Sequence, residues 1–289
     1  CGKGRVFTRL GEYSTSLVAR GLADFLGVEL IKAPETAPAK LPGRPPTLCA
    51  GCSHRAVYYA AQRVFGDEAV YSSDIGCYTL GMAPPLKAAD FLYCMGSSIS
   101  AGSGFARFSQ KPVLAFIGDS TFFHSGITGL ANAVYNKHNI IFVILDNGTT
   151  AMTGHQPNPG VAEEVLGGDC VQLDVEGLVR ACGVTQVNLV KGYNTKAMIA
   201  AMEEMKALSG VRVIIAREPC VLFARRTLKK PLTQRAYVLE QSACVDNCFA
   251  RLGCPAFVRN GSEAGIDEEM CNGCMVCLQV SPKIKARKR

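Results

Sequence analysis

The sequence of 289 residues contains no tryptophan and only four histidines. It also lacks any apolar run near the roughly 20 residues that a membrane-spanning helix needs. The first residues, CGKGRVFTRLGEY, have no apolar stretch typical of a secretion signal. We therefore predict a cytoplasmic protein, with neither a membrane nor a nucleic acid as its partner. Because the sequence begins with Cys1 and not with Met, we expect it to be one piece of a longer polypeptide.

Cysteine, by contrast, is abundant, with 14 residues. Disulfides are not expected in a cytosolic chain, because reducing compartments keep thiols free, and pairs two residues apart suit metal or cluster ligation. The formal charge is +7, and the final run KIKARKR (283–289) has five basic residues and no acidic one. Such a run is either a solvated tail or a surface that attracts an acidic partner.

Strand-length apolar runs alternate with helical patterns between about residues 48 and 225. The predicted strands are AVYSS (69–73), VLAFI (113–117), IIFVIL (140–145) and VRVIIA (211–216). The predicted helices between them are HRAVYYAAQRVF (54–65), GITGLANAVYNK (126–137) and NTKAMIAAMEEMKAL (194–208). This alternation predicts an α/β fold, with a parallel sheet covered by helices on both faces.

Three regions follow from these patterns. Residues 1–47 hold a short helix, TSLVARGLADFLG, and a linker whose prolines exclude helix and central strand: Pro34, Pro38, Pro42, Pro45 and Pro46. Residues 48–234 form the α/β domain. Residues 235–289 are dense in cysteine and have little apolar periodicity, so we predict a small separate domain that ends in the basic run.

Polar residues follow two neighbouring strands of the predicted sheet. Gly118 and Asp119 come directly after the strand that ends at Ile117, and Asn147 follows the next strand along the chain. Since a right-handed crossover brings the carboxyl ends of both strands to one edge, Asp119 and Asn147 should approach a single ion. Carboxylate, amide and backbone oxygens suit Mg²⁺, which is commonly shared with substrate phosphates.

The sequence GDS, followed by Asn147 after 26 intervening residues, resembles the GDG…N signature of thiamine diphosphate enzymes, with Ser120 in place of the last glycine. The segments LCAGCSHR, SSDIGCYTLG, CMGSSISAG, GDSTFFHSGITGLANAVYNK and ILDNGTTAMTGHQPNPG resemble the alpha subunits of indolepyruvate:ferredoxin oxidoreductases. They cover most of residues 45–160. The cysteine-rich end is similar to the ferredoxin-like domain of the same subunits.

This resemblance implies the oxidative decarboxylation of an aryl 2-oxo acid with coenzyme A, which gives an aryl-acyl-CoA, CO₂ and reduced ferredoxin. It implies thiamine diphosphate and Mg²⁺ as cofactors, with Asp119, Asn147 and the backbone oxygen of Thr149 on the ion. Further cofactor contacts are implied for Gly76, Cys77, Gly118, Ser120 and Met152. Candidates for lining the catalytic pocket are His54, His124 and His155, whereas His138 is expected to be an ordinary surface residue.

Partners are implied as well. Thiamine enzymes use an acidic residue on a separate pyrimidine-binding domain, and residues 1–45 are too short to form one. We therefore expect another segment or chain to supply that domain. A beta- or gamma-type subunit and an acidic ferredoxin are the other expected partners.

The resemblance also assigns a first [4Fe–4S] cluster, close to the thiamine, to Cys49, Cys52, Cys77 and Cys220. The alternative is that Cys77 and Cys220 are small buried hydrophobic residues. Three other cysteines stand singly and are interpreted as structural: Cys94, Cys170 and Cys182.

A second cluster is predicted in the terminal domain. In two-cluster ferredoxins each cluster takes three cysteines from one motif and the fourth from the other. The second motif and its distant fourth ligand are complete: Cys271, Cys274, Cys277 and Cys254. The other set would need Ser281 together with Ser242, Val245 and Cys248, so we predict that this site has decayed. Cys244 and Cys248 would bind a cluster only if Ser281 or water completed the set.

Two other functions remain open on sequence grounds. The chain could act on phenylglyoxylate or another 2-oxo acid, because the motifs define the chemistry and not the side-chain pocket. It could also be an iron–sulfur subunit that only transfers electrons and has a vestigial thiamine site. The intact Asp119, Asn147 and TGHQ loop argues against that second alternative.

Overall fold

The structure, a computed structural model, describes residues 6–8, 10–30, 43, 45–163, 166–168 and 170–288. The chain divides into two compact units, Cys1–Pro45 and Pro46–Arg289. In the first unit, helix α1 (Thr15–Leu26) begins after Ser14, whose side chain accepts a hydrogen bond from the backbone, and ends at Gly27 with φ of 66°. Most of the predicted proline-rich linker, including Pro34, Pro38 and Pro42, lies outside the described residues.

The second unit is built on one parallel sheet. Its strands are β1 (Val70–Ser72), β2 (Val113–Gly118), β3 (Ile140–Asp146), β4 (Gln186–Lys191) and β5 (Val211–Arg217), in the order β1-β2-β3-β5-β4. All neighbours pair in parallel, which confirms the predicted α/β class. Strand β4 was not predicted, because it is an edge strand in which polar Gln186 and Asn188 interrupt the apolar pattern.

Helices cover both faces of this sheet. Helices α2 (Ser53–Val64) and α7 (Thr195–Ala207) pack on one face, against alternate strand residues such as Leu114 and Phe116. On the other face, residues such as Ala115 and Phe142 contact α3 (Ser97–Ala106), α5 (Ile127–Tyr135) and α6 (Val175–Ala181). Both faces of the central strands are therefore buried, which explains their continuous apolar sequence.

The loops that follow four strands meet at one edge of the sheet. Cys77 follows β1, Asp119 follows β2, Asn147 follows β3 and Cys220 follows β5. Strand β2 leads directly into α4 (Asp119–Thr121), then into a π-helical turn over Phe122–Gly126, and then into α5. A π-helical turn inside a helix is frequent at functional sites. The sheet therefore collects the predicted polar and cysteine residues at its carboxyl edge.

Helix α8 (Val221–Arg226) connects this sheet to a terminal segment made of two strand–helix–strand halves. The first half is β6 (Gln234–Val238), α9 (Ala243–Leu252) and β7 (Phe257–Asn260); the second is β8 (Glu263–Ile266), α10 (Val276–Val280) and β9 (Ile284–Lys288). Strand β6 pairs with β9 and β7 with β8, both antiparallel. Residues 284–288 of the basic run thus form strand β9, with Ile284 buried.

None of the helices in the described parts of the chain is long and apolar enough to cross a lipid bilayer.

Candidate active site

A cavity of about 160 Å³ opens beside the loops that follow β1, β2 and β3. It brings together every residue predicted to contact the cofactor. Its lining includes Gly76, Cys77, Gly118, Asp119, Ser120, Asn147, Thr149 and Met152. We call it the diphosphate cavity.

Asp119 places a buried carboxylate at this cavity, with only 3% of the residue exposed. Its Oδ2 accepts hydrogen bonds of 3.0 Å from the backbone N–H of Gly148 and from the side chain of Asn158. Burial, and then the nearby charge of Asp146, raise its pKa to about 7. No Lys, Arg or His of the described residues forms an ion pair with it. An unpaired buried carboxylate is costly, so the site fits a bound cation.

Asn147 and Thr149 add neutral oxygens to the same cavity. Asn147 Oδ1 accepts a hydrogen bond of 3.1 Å from the Thr149 N–H, which leaves this oxygen a second lone pair. No described donor binds the carbonyl oxygen of Thr149. One carboxylate, one amide and one carbonyl oxygen form a hard, incomplete ligand set that fits Mg²⁺ bound together with a diphosphate.

Tyr78 is a structural member of this site that the sequence did not indicate. A Cβ atom on Gly118 would lie 2.7 Å from the Tyr78 ring, so this glycine is needed to accommodate the tyrosine. The Tyr78 hydroxyl donates to Asp74, which is fully buried and also accepts a 2.6 Å hydrogen bond from Ser98 Oγ. Burial raises the pKa of Asp74. This network holds the loop after β1 against helix α3 and the end of β2.

Adjoining the diphosphate cavity is a second cavity of about 250 Å³, which four predicted ligands line: Cys49, Cys52, Cys77 and Cys220. Cys52 and Cys220 are the N-cap residues of α2 and α8, and helix N-termini favour negative charge. Burial raises the pKa of Cys52 to about 12 and that of Cys77 to about 11, so these free thiols are protonated at neutral pH. Metal binding would have to displace those protons.

The predicted histidines lie in different places. His54 and His155 line the second cavity, and His155 Nε2 is 3.6 Å from Cys220 Sγ. Burial lowers the pKa of His54 to about 4, so it is neutral. His124 is exposed on the π-helical turn and lines neither of these two cavities. None of the three lines the diphosphate cavity, and their catalytic roles stay predictions.

The terminal segment holds a third, smaller cavity of about 30 Å³, lined by the second predicted set: Cys254, Cys271, Cys274 and Cys277. Gly51, Cys52 and Arg55 of the α/β domain line the same space. Within the described ranges, no three His, Cys, Asp or Glu side chains converge on a point that would hold a single metal ion. A four-iron cluster has a different requirement, since each iron takes its own thiolate and the cysteines surround a space.

The incomplete ferredoxin site is closed by packing. Ser281 is 0% exposed and donates a 3.2 Å hydrogen bond to Cys244 Sγ. Val245 and Cys248 are buried in the apolar core of the terminal segment. Hydrogen bonds from Ser242 and Ser281 lower the pKa of Cys244.

The three cysteines interpreted as structural do not line the diphosphate cavity or either cysteine cavity: Cys94, Cys170 and Cys182.

Comparison with known proteins gives these cavities a context. Residues 74–216 match the family model of the thiamine pyrophosphate enzyme, C-terminal TPP binding domain. The chain is 40% identical over 277 residues to the indolepyruvate oxidoreductase subunit IorA of Methanothermobacter thermautotrophicus, in an alignment with 94% of this chain and 44% of that protein. It is 40% identical over 283 residues to IorA of Archaeoglobus fulgidus, with 94% and 45% covered. The chain is a homologue of the IorA subunits. It spans less than half of their length.

Among solved structures, the chain is similar to a 2-oxoglutarate:ferredoxin oxidoreductase from Magnetococcus marinus with 2-oxoglutarate, coenzyme A and succinyl-CoA bound. The TM-score is 0.55 at 17% identity, over 62% of this chain and 66% of that chain. At this identity the similarity concerns the fold.

Proposed function

We propose that this chain is the thiamine-binding and electron-transferring part of a 2-oxo acid:ferredoxin oxidoreductase. The complete enzyme would convert arylpyruvates of the indolepyruvate type, with coenzyme A, to aryl-acyl-CoA, CO₂ and reduced ferredoxin. One observation carries the proposal: the diphosphate cavity and the first cysteine cavity share Cys77, Asn147 and Met152 in their linings. A decarboxylase without a redox step needs only the diphosphate cavity. A redox enzyme also needs an electron acceptor beside that cavity.

Each group of side chains then has a distinct task. Asp119, Asn147 and Thr149 hold Mg²⁺, and through it the diphosphate. When bound, thiamine diphosphate would allow CO₂ to leave the 2-oxo acid and the two electrons of the oxidation to be released. The two electrons leave one at a time, so the first cysteine set, beside the thiamine, would receive them. Neutral His54, buried beside this set, adds no charge to it.

The terminal segment supports a ferredoxin-like role. Its two strand–helix–strand halves pair through their outer strands, β6 with β9. Cys254 belongs to the first half, and Cys271, Cys274 and Cys277 to the second. Bacterial two-cluster ferredoxins assemble each cluster in this way from both motifs. We therefore infer a second [4Fe–4S] cluster here, placed to pass electrons to an acidic ferredoxin.

The chain also needs partners to act. The described residues form one parallel sheet, which holds the diphosphate loop, and the pyrimidine-binding domain that activates thiamine would come from another segment or chain. Relatives of this chain carry the word subunit in their names, which supports a beta- or gamma-type partner. An enzyme for phenylglyoxylate would use the same residues, and substrate assays separate the two.

We expect this chain alone to be inactive and the complex purified anaerobically to be active. The acid that activates thiamine would belong to the pyrimidine-binding domain proposed to come from another segment or chain, so indolepyruvate and coenzyme A should reduce ferredoxin only in the complex. Product acyl-CoA and reduced ferredoxin are the measurements, with phenylglyoxylate as the competing substrate. Turnover by the isolated chain with a dye acceptor would contradict the proposal that another segment or chain completes the site. Decarboxylation by the complex without reduction of dye or ferredoxin would contradict the proposed oxidoreductase activity.

The basic strand β9 should increase the rate of encounter with ferredoxin. Deleting it would break its pairing with β6, so charge reversal is the better test. Lys285 and Lys288 are exposed, and in the described residues neither forms an ion pair. Lys285→Glu with Lys288→Glu should slow ferredoxin reduction severalfold at low salt and little at high salt, because salt screens the attraction.

The matched control for the β9 variant reverses two charges in the α/β domain, Arg107→Glu with Lys137→Glu. Both residues are exposed and lie outside the terminal segment. The two double variants have the same net charge, so a similar loss in both would show that only overall charge matters. Reduction of a small neutral dye should be unchanged in either variant.

A further inference from the structure

Arg55 lies between the two four-cysteine sets. It is in the first turn of α2, three residues after Cys52, and only 4% of it is exposed. It lines the cavity of the terminal cysteines, although it belongs to the α/β domain. Arginine is rarely buried to this degree unless its charge and donors have partners.

Backbone oxygens on both sides satisfy its donors. On the side of the first cysteine set, Arg55 donates to the carbonyl oxygens of Leu48 and Cys49, the latter at 3.3 Å. On the terminal side it donates to the carbonyl oxygens of Leu252 at 2.9 Å and Gly253 at 2.7 Å. Residue 253 directly precedes Cys254. One guanidinium therefore joins a loop of the first set to a loop of the second.

Its charge has no carboxylate partner. Among the described residues no Asp or Glu forms an ion pair with Arg55. Burial lowers the pKa of Arg55. Negative charge on four surrounding thiols would raise it: Cys254, Cys52, Cys49 and Cys274. A [4Fe–4S] cluster with four thiolates is an anion overall, so two clusters would supply the missing negative charge.

The two cysteine loops also touch directly. Asn272 donates a 2.8 Å hydrogen bond from its side chain to the carbonyl oxygen of Ala50, between Cys49 and Cys52. Gly51 has φ of 75°, and a Cβ on it would lie 2.9 Å from Asn272 Cβ. The loops CAGC and CNGC are thus in contact, and the charge of Arg55 acts on both at short range.

We propose that Arg55 is a positioning residue that joins the two cluster loops and, as their shared cation, raises the reduction potentials of both clusters. The inference rests on the proposed clusters. On reduction each cluster accepts one electron, no bond forms or breaks, and the cluster gains one negative charge. The nearby guanidinium stabilises that added charge, so the reduced state is favoured at both positions. Dithionite is the electron donor in the test.

Arg212 provides a matched control. It is also a buried arginine that donates to backbone oxygens, those of Gly210, Met205 and Leu208. It lies at the opposite end of strand β5 from Cys220, and burial alone lowers its pKa, to about 10. Arg212→Gln therefore removes a buried charge of the same kind away from both cysteine sets.

The experiment titrates both clusters with dithionite in the anaerobically purified full chain, followed by electron paramagnetic resonance, with iron and sulfide counted in each sample. We expect Arg55→Gln to lower both potentials by at least about 59 mV, a tenfold fall in the ratio of reduced to oxidised cluster. Arg55→Lys keeps the charge and should shift them by less than half of that. Arg212→Gln should leave both potentials unchanged and lower the unfolding temperature.

Potentials that stay at their wild-type values in a fully loaded Arg55→Gln would overturn the role of Arg55 and leave the proposed function intact. An equal shift in Arg212→Gln would overturn it as well. If Arg55→Gln does not fold, Arg55→Lys decides: wild-type potentials support the shared cation, and a tenfold fall overturns it. A wild-type chain that binds no iron and sulfide would overturn the proposed clusters themselves, and this inference with them.

Discussion

Replacing Asp119 by alanine is expected to abolish Mg²⁺-dependent binding of thiamine diphosphate, with a loss of affinity of at least about 100-fold, since even residues that only support a metal ligand contribute 10- to 100-fold. Among the described residues, Asp119 is the only carboxylate that lines the diphosphate cavity, and none of their cationic side chains pairs with it. Its removal would take away the charged group of the proposed Mg²⁺ ligand set. Calorimetric titration with thiamine diphosphate, with and without Mg²⁺, measures the effect.

Iron content should be unchanged in Asp119→Ala, because the two cysteine sets use other loops. Asp146→Asn is the matched control, since Asp146 stands at the same edge of the sheet, pairs with Arg217 at 2.6 Å and does not line the diphosphate cavity. It should bind thiamine diphosphate within about threefold of the wild type. Full affinity in Asp119→Ala, or an equal loss in both variants, would show that the metal assignment is wrong.

The pair Asp119 and Asn147 could be predicted because it depends on local rules. Each residue follows a long apolar run, and parallel strands bring their carboxyl ends together whatever the remaining structure does. Asp74 and Tyr78 follow a strand of only three residues, too short to show a period. Their roles arise from contacts with Ser98 and Gly118 that no local pattern reports.

Arg55 shows a second limit of sequence reasoning. A charged residue in an amphipathic helix normally points to solvent. The residues that accept its hydrogen bonds, Leu252 and Gly253, lie 197 and 198 residues further along the chain than Arg55. Such contacts depend on how the terminal segment packs on α2. The grouping of the cysteines was likewise expected from a family resemblance, since their spacing does not by itself pair Cys77 with Cys220.

The terminal domain departs from the two-cluster ferredoxin pattern, because only one of its two ligand sets is complete. We expect two [4Fe–4S] clusters, about eight irons per chain. A serine oxygen is a harder ligand than a thiolate and suits such clusters less well. Ser281 already donates a hydrogen bond to Cys244 Sγ, and Val245 occupies another ligand position within the core. A third cluster would have to open this packed region, so anaerobic analysis should find no further iron.

Cys274→Ala tests where the second cluster lies and what it does. Cys274 lines the cavity of the terminal cysteines and belongs to the loop that contacts the first cysteine set. Its loss should remove about half of the iron, which is one of two equal clusters. Electrons would then reach the first set and not the surface, so we expect ferredoxin reduction by the complex to fall at least about 100-fold. Substrate-dependent reduction of a small dye, and with it decarboxylation, should be affected much less.

Cys244→Ala is the matched control for Cys274→Ala, because Cys244 belongs to the incomplete site of the same domain and is held by Ser242 and Ser281. It should retain all of the iron and the full rate of ferredoxin reduction. Loss of iron in Cys244→Ala would contradict the decay of that site. Normal ferredoxin reduction in Cys274→Ala would mean that electrons leave the chain directly from the set beside the thiamine, through the mouth of the cavity that Met152 and His155 line.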